Sequence, residues 1–169
     1  MAGERLRAWR HVLYRAPERR TGWADRAEYR RRIRLLQRPR ILVIDDDPAI
    51  QELVSAVLTL KGYEVHVSGR PEEALEQLKS SDYDLSLLDL RMPGMDGEDI
   101  FQILCQRHPK VASRVVFMTG DTASKDTRRF LTCVQRPVLI KPFHLDGLEE
   151  TVAAALDSNS ASSPNDAQA

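Results

Sequence analysis

The sequence predicts an α/β domain, a parallel five-stranded sheet with helices on both faces, and two observations carry that prediction. Short β-branched runs alternate five times with stretches of helical spacing between Arg40 and Leu156. The first run, Ile41-Leu42-Val43-Ile44, is apolar without alternation, as in a strand covered on both faces. Successive parallel strands need crossovers, and helical crossovers of one hand cover both sides of the sheet.

The elements follow in order. Ile41–Ile44 is the first strand and ends at Asp45-Asp46-Asp47. Ile50, Leu53, Val54, Val57 and Leu58 recur at i, i+3, i+4, i+7 and i+8, the stripe of an amphipathic helix that stops at Gly62. Tyr63–Val67 reads as the second strand, and Pro71–Lys79 as a helix turning Ala74, Leu75 and Leu78 inward. Asp84–Leu88 is the third strand. Beyond the Pro93-Gly94 turn, Ile100, Phe101, Ile103 and Leu104 mark a helix, Val115–Met118 a strand, and Phe130, Leu131 and Val134 a short helix. Val138–Ile140 closes the sheet, and Leu145, Leu148, Val152 and Leu156 define the last helix.

The chain of 169 residues holds one domain with tails, since domains average roughly 150 residues. Hydrophobic residues at 42% and charged residues at 30% exclude a collagenous or wholly disordered chain. Cys105 and Cys133 form neither a CxxC nor a Cys/His pattern, so a disulfide framework and a zinc site are not expected, and a reducing cytoplasm is. No apolar run reaches the roughly 18 residues of a membrane span, and arginines fill the region where a signal peptide would have its apolar core. The net charge of zero hides a division. Residues 1–40 hold 13 arginines against four acids, and the rest 12 Lys/Arg against 21 Asp/Glu. A basic extension over residues 1–38 therefore precedes a domain over 39–157. Within it, Trp9, Val12, Leu13 and Ala16, and then Tyr29 to Gln37, have the pattern of short helices. Such an arm suits an acidic protein, nucleic acid, or the acidic face of its own domain. Residues 158–169, rich in Ser, Asn and Asp, read as a disordered tail.

Ligand chemistry in a parallel α/β sheet belongs at the carboxyl ends of its strands. Here those ends carry Asp45 and Asp46, Asp89, Thr119, and Lys141-Pro142. Three converging carboxylates raise one another's pKa unless a positive charge intervenes. A hard divalent cation is the remedy, and Mg2+ suits a small oxygen site that also receives an anion. Lys141 adds a point charge and Thr119 a neutral donor. Asp47, followed by Pro48, reads as a helix N-cap. Asp96 and Gly97 read as a turn and helix entry, Met92 and Met95 as packing and loop residues, and Cys105 as a small apolar residue on its helix.

The segments ILVIDDDPAI, LLDLRMPGMDG, VVFMTGD and PVLIKPF, in this order and spacing, resemble the receiver domain of two-component response regulators, from about Arg40 to Leu156. The stretch from Thr119 to Phe143 also resembles receivers fused behind histidine kinases. The resemblance implies strand order 2-1-3-4-5, the flavodoxin-like arrangement. Carried over by position, it implies that Asp89 is the phosphoryl acceptor, that Asp45, Asp46, Asp89 and the backbone carbonyl of Arg91 ligate Mg2+, and that Thr119 and Lys141 bind phosphoryl oxygens. It also implies a cis bond before Pro142. The donor would be a phosphohistidine on a histidine kinase or phosphotransfer protein, and the output a change in contacts with a downstream protein, without membrane insertion. The chain is then a phosphoryl acceptor with at most slow self-dephosphorylation, not an enzyme.

Val138 stands where many receivers carry an aromatic residue that couples phosphorylation to the partner face. Arg91 and Asp121 flank the path of attacking water, where pairing between them would slow hydrolysis of the acyl phosphate. Two other functions compete with the receiver. A nucleic-acid effector would act through the basic arm, although residues 1–38 contain neither a helix-turn-helix pair of adequate length nor a zinc motif. A phosphatase of the haloacid dehalogenase type would need an Asp two residues after its nucleophile, and Arg91 stands there.

Overall fold

A computed structural model of the protein describes residues 38–157. The expectations for residues 1–37 and 158–169, including the arginine-rich helices and the tail, lie outside the described residues.

Five strands, β1 (Arg40–Ile44), β2 (Glu64–Ser68), β3 (Leu85–Asp89), β4 (Val115–Thr119) and β5 (Val138–Ile140), alternate with α1 (Pro48–Leu60), α2 (Pro71–Ser80), α3 (Gly97–Arg107), α4 (Pro109–Ala112), α5 (Lys125–Val134) and α6 (Leu145–Asp157). All neighbouring strands are parallel, in the order β2-β1-β3-β4-β5. That is the expected order. The four-residue α4 was not expected, because one turn opened by Pro109 is too short to show a periodicity. The second and third strands begin one residue later than the sequence suggested, which places Asp89 inside β3 as its last residue.

Alternation along the strands divides the core. Ile41, Val43, Leu85, Leu87, Val116 and Met118 face Val54 and Leu58 of α1 and Leu148 and Val152 of α6. Leu42, Ile44, Leu88 and Phe117 face Ala74 and Leu78 of α2 and Ile100, Phe101 and Leu104 of α3. On this second side Phe101, Phe117 and Phe130 meet edge to face, with ring centroids 5.2 to 6.1 Å apart, a geometry that adds to simple burial. β1 and β3 are thus covered on both faces, as their continuous apolar runs require.

The stripe of α1 is narrower than its spacing suggested. Val54 and Leu58 are fully buried, but Leu53 is 41% exposed. The helix begins as expected, with Asp47 accepting from the Ala49 amide at 2.8 Å and Pro48 in the first turn. It is followed by Gly62 at φ 92°, a conformation that glycine adopts without steric cost. No helix among the described residues is long and apolar enough to cross a membrane. Cys105 and Cys133 are exposed free thiols, so Cys105 does not serve as a core residue.

Candidate functional site

Strand register assembles the site. Ile44 lies opposite Leu88, so Asp45 and Asp89, each one residue further on, emerge side by side from β1 and β3. Asp89 lies opposite Met118, so Thr119 follows one step later, and Thr119 lies opposite Ile140, which Lys141 follows. The sheet order reverses at β1, and the crevice at such a switch point is where open α/β sheets place their ligands. Each change of strand advances the chemistry by about one residue.

Carboxylate oxygens of Asp45, Asp46 and Asp89 all lie within 4.8 Å of one another. Asp45 is fully buried and Asp89 is nearly so, whereas Asp46 is exposed. Lys141 Nζ donates to Asp45 Oδ2 at 2.6 Å and to Asp89 Oδ2 at 2.7 Å. The other oxygens of these two carboxylates accept backbone amides, Asp45 Oδ1 from Asp47 at 3.0 Å and Asp89 Oδ1 from Arg91 at 3.2 Å. Thr119 is fully buried, and its Oγ1 accepts from the Asp121 amide at 3.1 Å. The Lys141–Pro142 bond is cis, as expected.

Burial pushes the Asp45 carboxyl above its ordinary range, and the nearby Asp89 charge adds to this. The Lys141 hydrogen bond and charge and the Asp47 amide pull the other way without cancelling it. For Lys141, burial lowers the pKa, but hydrogen bonds and charges from Asp45 and Asp89 together outweigh burial, so the amine is held above its usual value. Both directions have one origin. Two buried carboxylates share a single ammonium, so the ammonium is secure and the most buried acid is not. With Asp46, the four groups together carry a formal charge of −2, which a divalent cation with oxygen preference would neutralise. Asp45, Asp46 and Asp89 therefore fit such an ion. Asp47, spent on its helix cap, is outside the cluster.

The arrangement brings together the expected site residues Asp45, Asp46, Asp89 and Lys141, and sets Thr119 at the end of the adjacent strand. The fourth expected metal ligand, the Arg91 carbonyl, belongs to the residue whose amide holds Asp89. Arg91 and Asp121 pair as the sequence suggested, Nη2 to Oδ2 at 3.5 Å.

Three supporting residues escaped the sequence reading. Gln51 on α1 donates its side-chain amide to the Asp45 carbonyl at 2.5 Å, fixing the acidic turn to the helix that follows it. Its spacing reads only as a polar surface position. Gly97 lies against the end of β3, where a Cβ would come within 2.2 Å of the Asp89 carbonyl oxygen. The Pro-Gly-Met-Asp-Gly run signalled a turn but not that contact. Thr127 in the first turn of α5 is buried and accepts from Arg91 Nη2 at 2.9 Å, a partnership across 36 positions that no local pattern announces.

Comparison with known proteins agrees with this geometry. Residues 41–153 match the response regulator receiver domain family. The chain is 34% identical over 122 residues to the DNA-binding response regulator MtrA of Mycolicibacterium smegmatis, covering 72% of this chain and 52% of that protein. It spans about half the length of the curated relatives it matches. Among solved structures, the response regulator TrrA of Thermotoga maritima, in complex with Mg2+–BeF, is 33% identical with a TM-score of 0.60, covering 70% of this chain and 99% of that one. A CheY-like receiver domain protein from Methanospirillum hungatei gives 26% identity and a TM-score of 0.67, covering 73% and 98%.

Proposed function

The chain belongs to the response regulator receiver family, and from that premise we propose that it acts in phosphorelay signalling by accepting a phosphoryl group on Asp89. The observation that carries this reading is the Lys141 ammonium lodged between Asp45 and Asp89, 2.6 and 2.7 Å from their carboxylates, inside a three-acid cluster.

Asp45, Asp46, Asp89 and the Arg91 carbonyl would hold Mg2+. Bound there, Mg2+ supplies charge neutralisation for the incoming phosphoryl oxygens. The residues of the chain do the rest. The Asp89 carboxylate is held by the Lys141 ammonium at 2.7 Å, so its attack needs alignment and not a general base. The P–N bond of a phosphohistidine donor breaks as the P–O bond to Asp89 forms. Lys141 neutralises the phosphoryl charge as a compact ammonium, and Thr119 offers its hydroxyl to a phosphoryl oxygen. The donor is a histidine kinase or a histidine phosphotransfer protein, and the output is an altered contact with a downstream protein in the cytoplasm.

A mixed anhydride at Asp89 brings about two negative charges and new acceptor oxygens into this pocket. The chain is thus a stoichiometric acceptor with slow self-dephosphorylation at most. The nucleic-acid alternative rests on the basic residues 1–38, outside the matched segment, whereas the acceptor reading rests on residues that meet in the folded domain.

Labelling the full chain with radioactive acetyl phosphate and Mg2+ tests the proposal. The expected result is at most one phosphoryl per chain, lost with chelator and lost in Asp89→Asn. Equal labelling of Asp89→Asn and the parent would show the assignment to be wrong.

A further inference from the structure

The acceptor reading uses the main chain of Arg91 and gives its side chain no part in phosphoryl transfer, yet this residue spans two parts of the fold. Its amide holds Asp89 Oδ1 at 3.2 Å. Its guanidinium reaches Asp96 Oδ2 at 3.2 Å, Asp121 Oδ2 at 3.5 Å and Thr127 Oγ1 at 2.9 Å. One residue therefore touches the acceptor carboxylate, the entry to α3, the β4–α5 loop and the first turn of α5.

The groups it meets are chained to one another. The Asp121 amide donates to Thr119 Oγ1, and Asp121 Oδ1 accepts the Ser124 amide at 3.0 Å. Ser124 caps α5 by accepting from the Thr127 amide at 3.4 Å. Arg91 closes this ring from the opposite loop. Asp96, at the cap position of α3, makes no side-chain cap bond to its own helix and instead meets the guanidinium.

The contacts differ in weight. Side chains of Arg91, Asp96 and Asp121 are 45, 45 and 37% exposed, so their ion pairs are screened and weak. Thr127 is 1% exposed, and the bond to its hydroxyl is the buried anchor of the arm. The helix it anchors is lightly seated, since Phe130, Leu131 and Val134 are only partly buried. Few fully buried contacts are a feature of an element that opens at low cost.

We infer that the Arg91 guanidinium couples the state of Asp89 to helix α5. Without a phosphoryl group it is parked on Thr127 and Asp121. A phosphoryl group on Asp89 draws it away, because a guanidinium binds a dianionic group through two charge-assisted hydrogen bonds, whereas its present partners are one neutral hydroxyl and two screened carboxylates. Thr127 and the first turn of α5 are then released. This route does not need an aromatic residue at Val138, and it rests on Asp89 being the acceptor.

Hydrogen exchange of residues 121–134 in the full chain, with Mg2+ and with or without beryllofluoride as phosphoryl mimic, tests the coupling. In the parent the mimic speeds exchange of this segment by about threefold to tenfold, the equilibrium equivalent of one lost hydrogen bond. Thr127→Val keeps the shape and removes the acceptor, so the segment exchanges at the faster rate before the mimic is added and responds little to it. Arg91→Lys keeps the charge, loses the fork and changes in the same direction, which covers the case of a poorly folded Thr127→Val. A slowed or unchanged segment in the parent, or a parent-like response in both variants, overturns the coupling. Acetyl phosphate labelling in parallel separates the two readings: an unlabelled parent rejects the acceptor assignment, whereas labelled protein with an unresponsive α5 rejects only the coupling.

Discussion

Substituting Gly97 by alanine should damage the end of β3 without altering any proposed ligand. A Cβ at this position would lie 2.2 Å from the Asp89 carbonyl oxygen, 2.8 Å from Leu90 Cα and 3.0 Å from the Asp89 carbonyl carbon. All three are backbone atoms, so no side-chain rotation relieves the overlap. Either the start of α3 or the end of β3 must move. The Gly97 amide also donates to the Leu90 carbonyl at 3.1 Å, and separating the two segments weakens that bond as well. Overpacking of this kind costs about 1–3 kcal/mol, to which a weakened hydrogen bond adds about 1 kcal/mol. At about 4 °C per kcal/mol for a domain of this size, the midpoint of thermal unfolding should fall by about 8–16 °C. Acetyl phosphate labelling at a temperature where the variant is still folded should fall as well, because the displaced backbone carries Asp89. Gly147→Ala is the control. It lies in α6 with nothing within 4 Å of its would-be Cβ, and should gain about 0.4–1 kcal/mol. A Gly97→Ala variant that melts within a degree or two of the parent and labels normally would refute the close-approach argument.

Other outcomes follow from the same geometry. In chelator, Asp45→Asn should stabilise the protein at neutral pH. The folded Asp45 carboxyl has a raised pKa, so the ionised form costs stability above the unfolded value near 3.8, and melting curves of parent and variant should converge as the pH falls towards that value. An unchanged gap across this range would argue against the burial penalty. Mg2+ should raise the parent melting point, by the equivalent of about 2.7 kcal/mol at one hundred times Kd, and Asp45→Asn should lose most of that gain. Arg91→Ala should shorten the lifetime of the acyl phosphate, since a guanidinium drawn onto the phosphoryl group shields it from attacking water; a lifetime equal to or longer than the parent's counts against this role. Ser86→Ala should be neutral or stabilise by about 1 kcal/mol, because Ser86 Oγ is buried in β3 with no hydrogen-bond partner among the described residues, and loss of more than about 1 kcal/mol in a denaturant titration would show that the hydroxyl is satisfied.

What could be read in advance was whatever a single segment encodes. The Ile41–Ile44 run specifies a doubly covered strand by itself, and Asp47-Pro48 specifies a helix start, since capping is settled within one turn. The acids at the strand ends were legible for a different reason, namely that parallel strands joined by crossovers must place their carboxyl ends on one side. The register refined this by single residues and moved Asp89 into β3. Relations between segments were not legible. Leu53 satisfies the spacing of the α1 stripe yet is half in water, because the width of a buried stripe depends on how the helix sits against the sheet. Gln51 and Gly97 looked like a surface residue and a turn residue, since the carbonyls they meet are brought to them only by folding. The bond from Arg91 to Thr127 is the extreme case. Each residue is unremarkable in its own segment, and the pair exists only because β3 and β4 are neighbours.

That adjacency bears on how such a site can signal. Asp45, Asp89 and Lys141 sit on a rigid, two-sided core whose strands cannot move without disturbing fully buried side chains. A phosphoryl group added there finds little compliance in the sheet. The adaptable parts are the loops after β3 and β4 and the lightly seated α5, and these are the parts that Arg91 ties together. The charge brought by phosphorylation is large beside screened surface ion pairs and is delivered next to a guanidinium already held by weak partners. Rigidity at the acidic cluster and looseness one loop away are therefore complementary. The first keeps the repelling carboxylates in place, and the second lets a local change of charge become a change of surface.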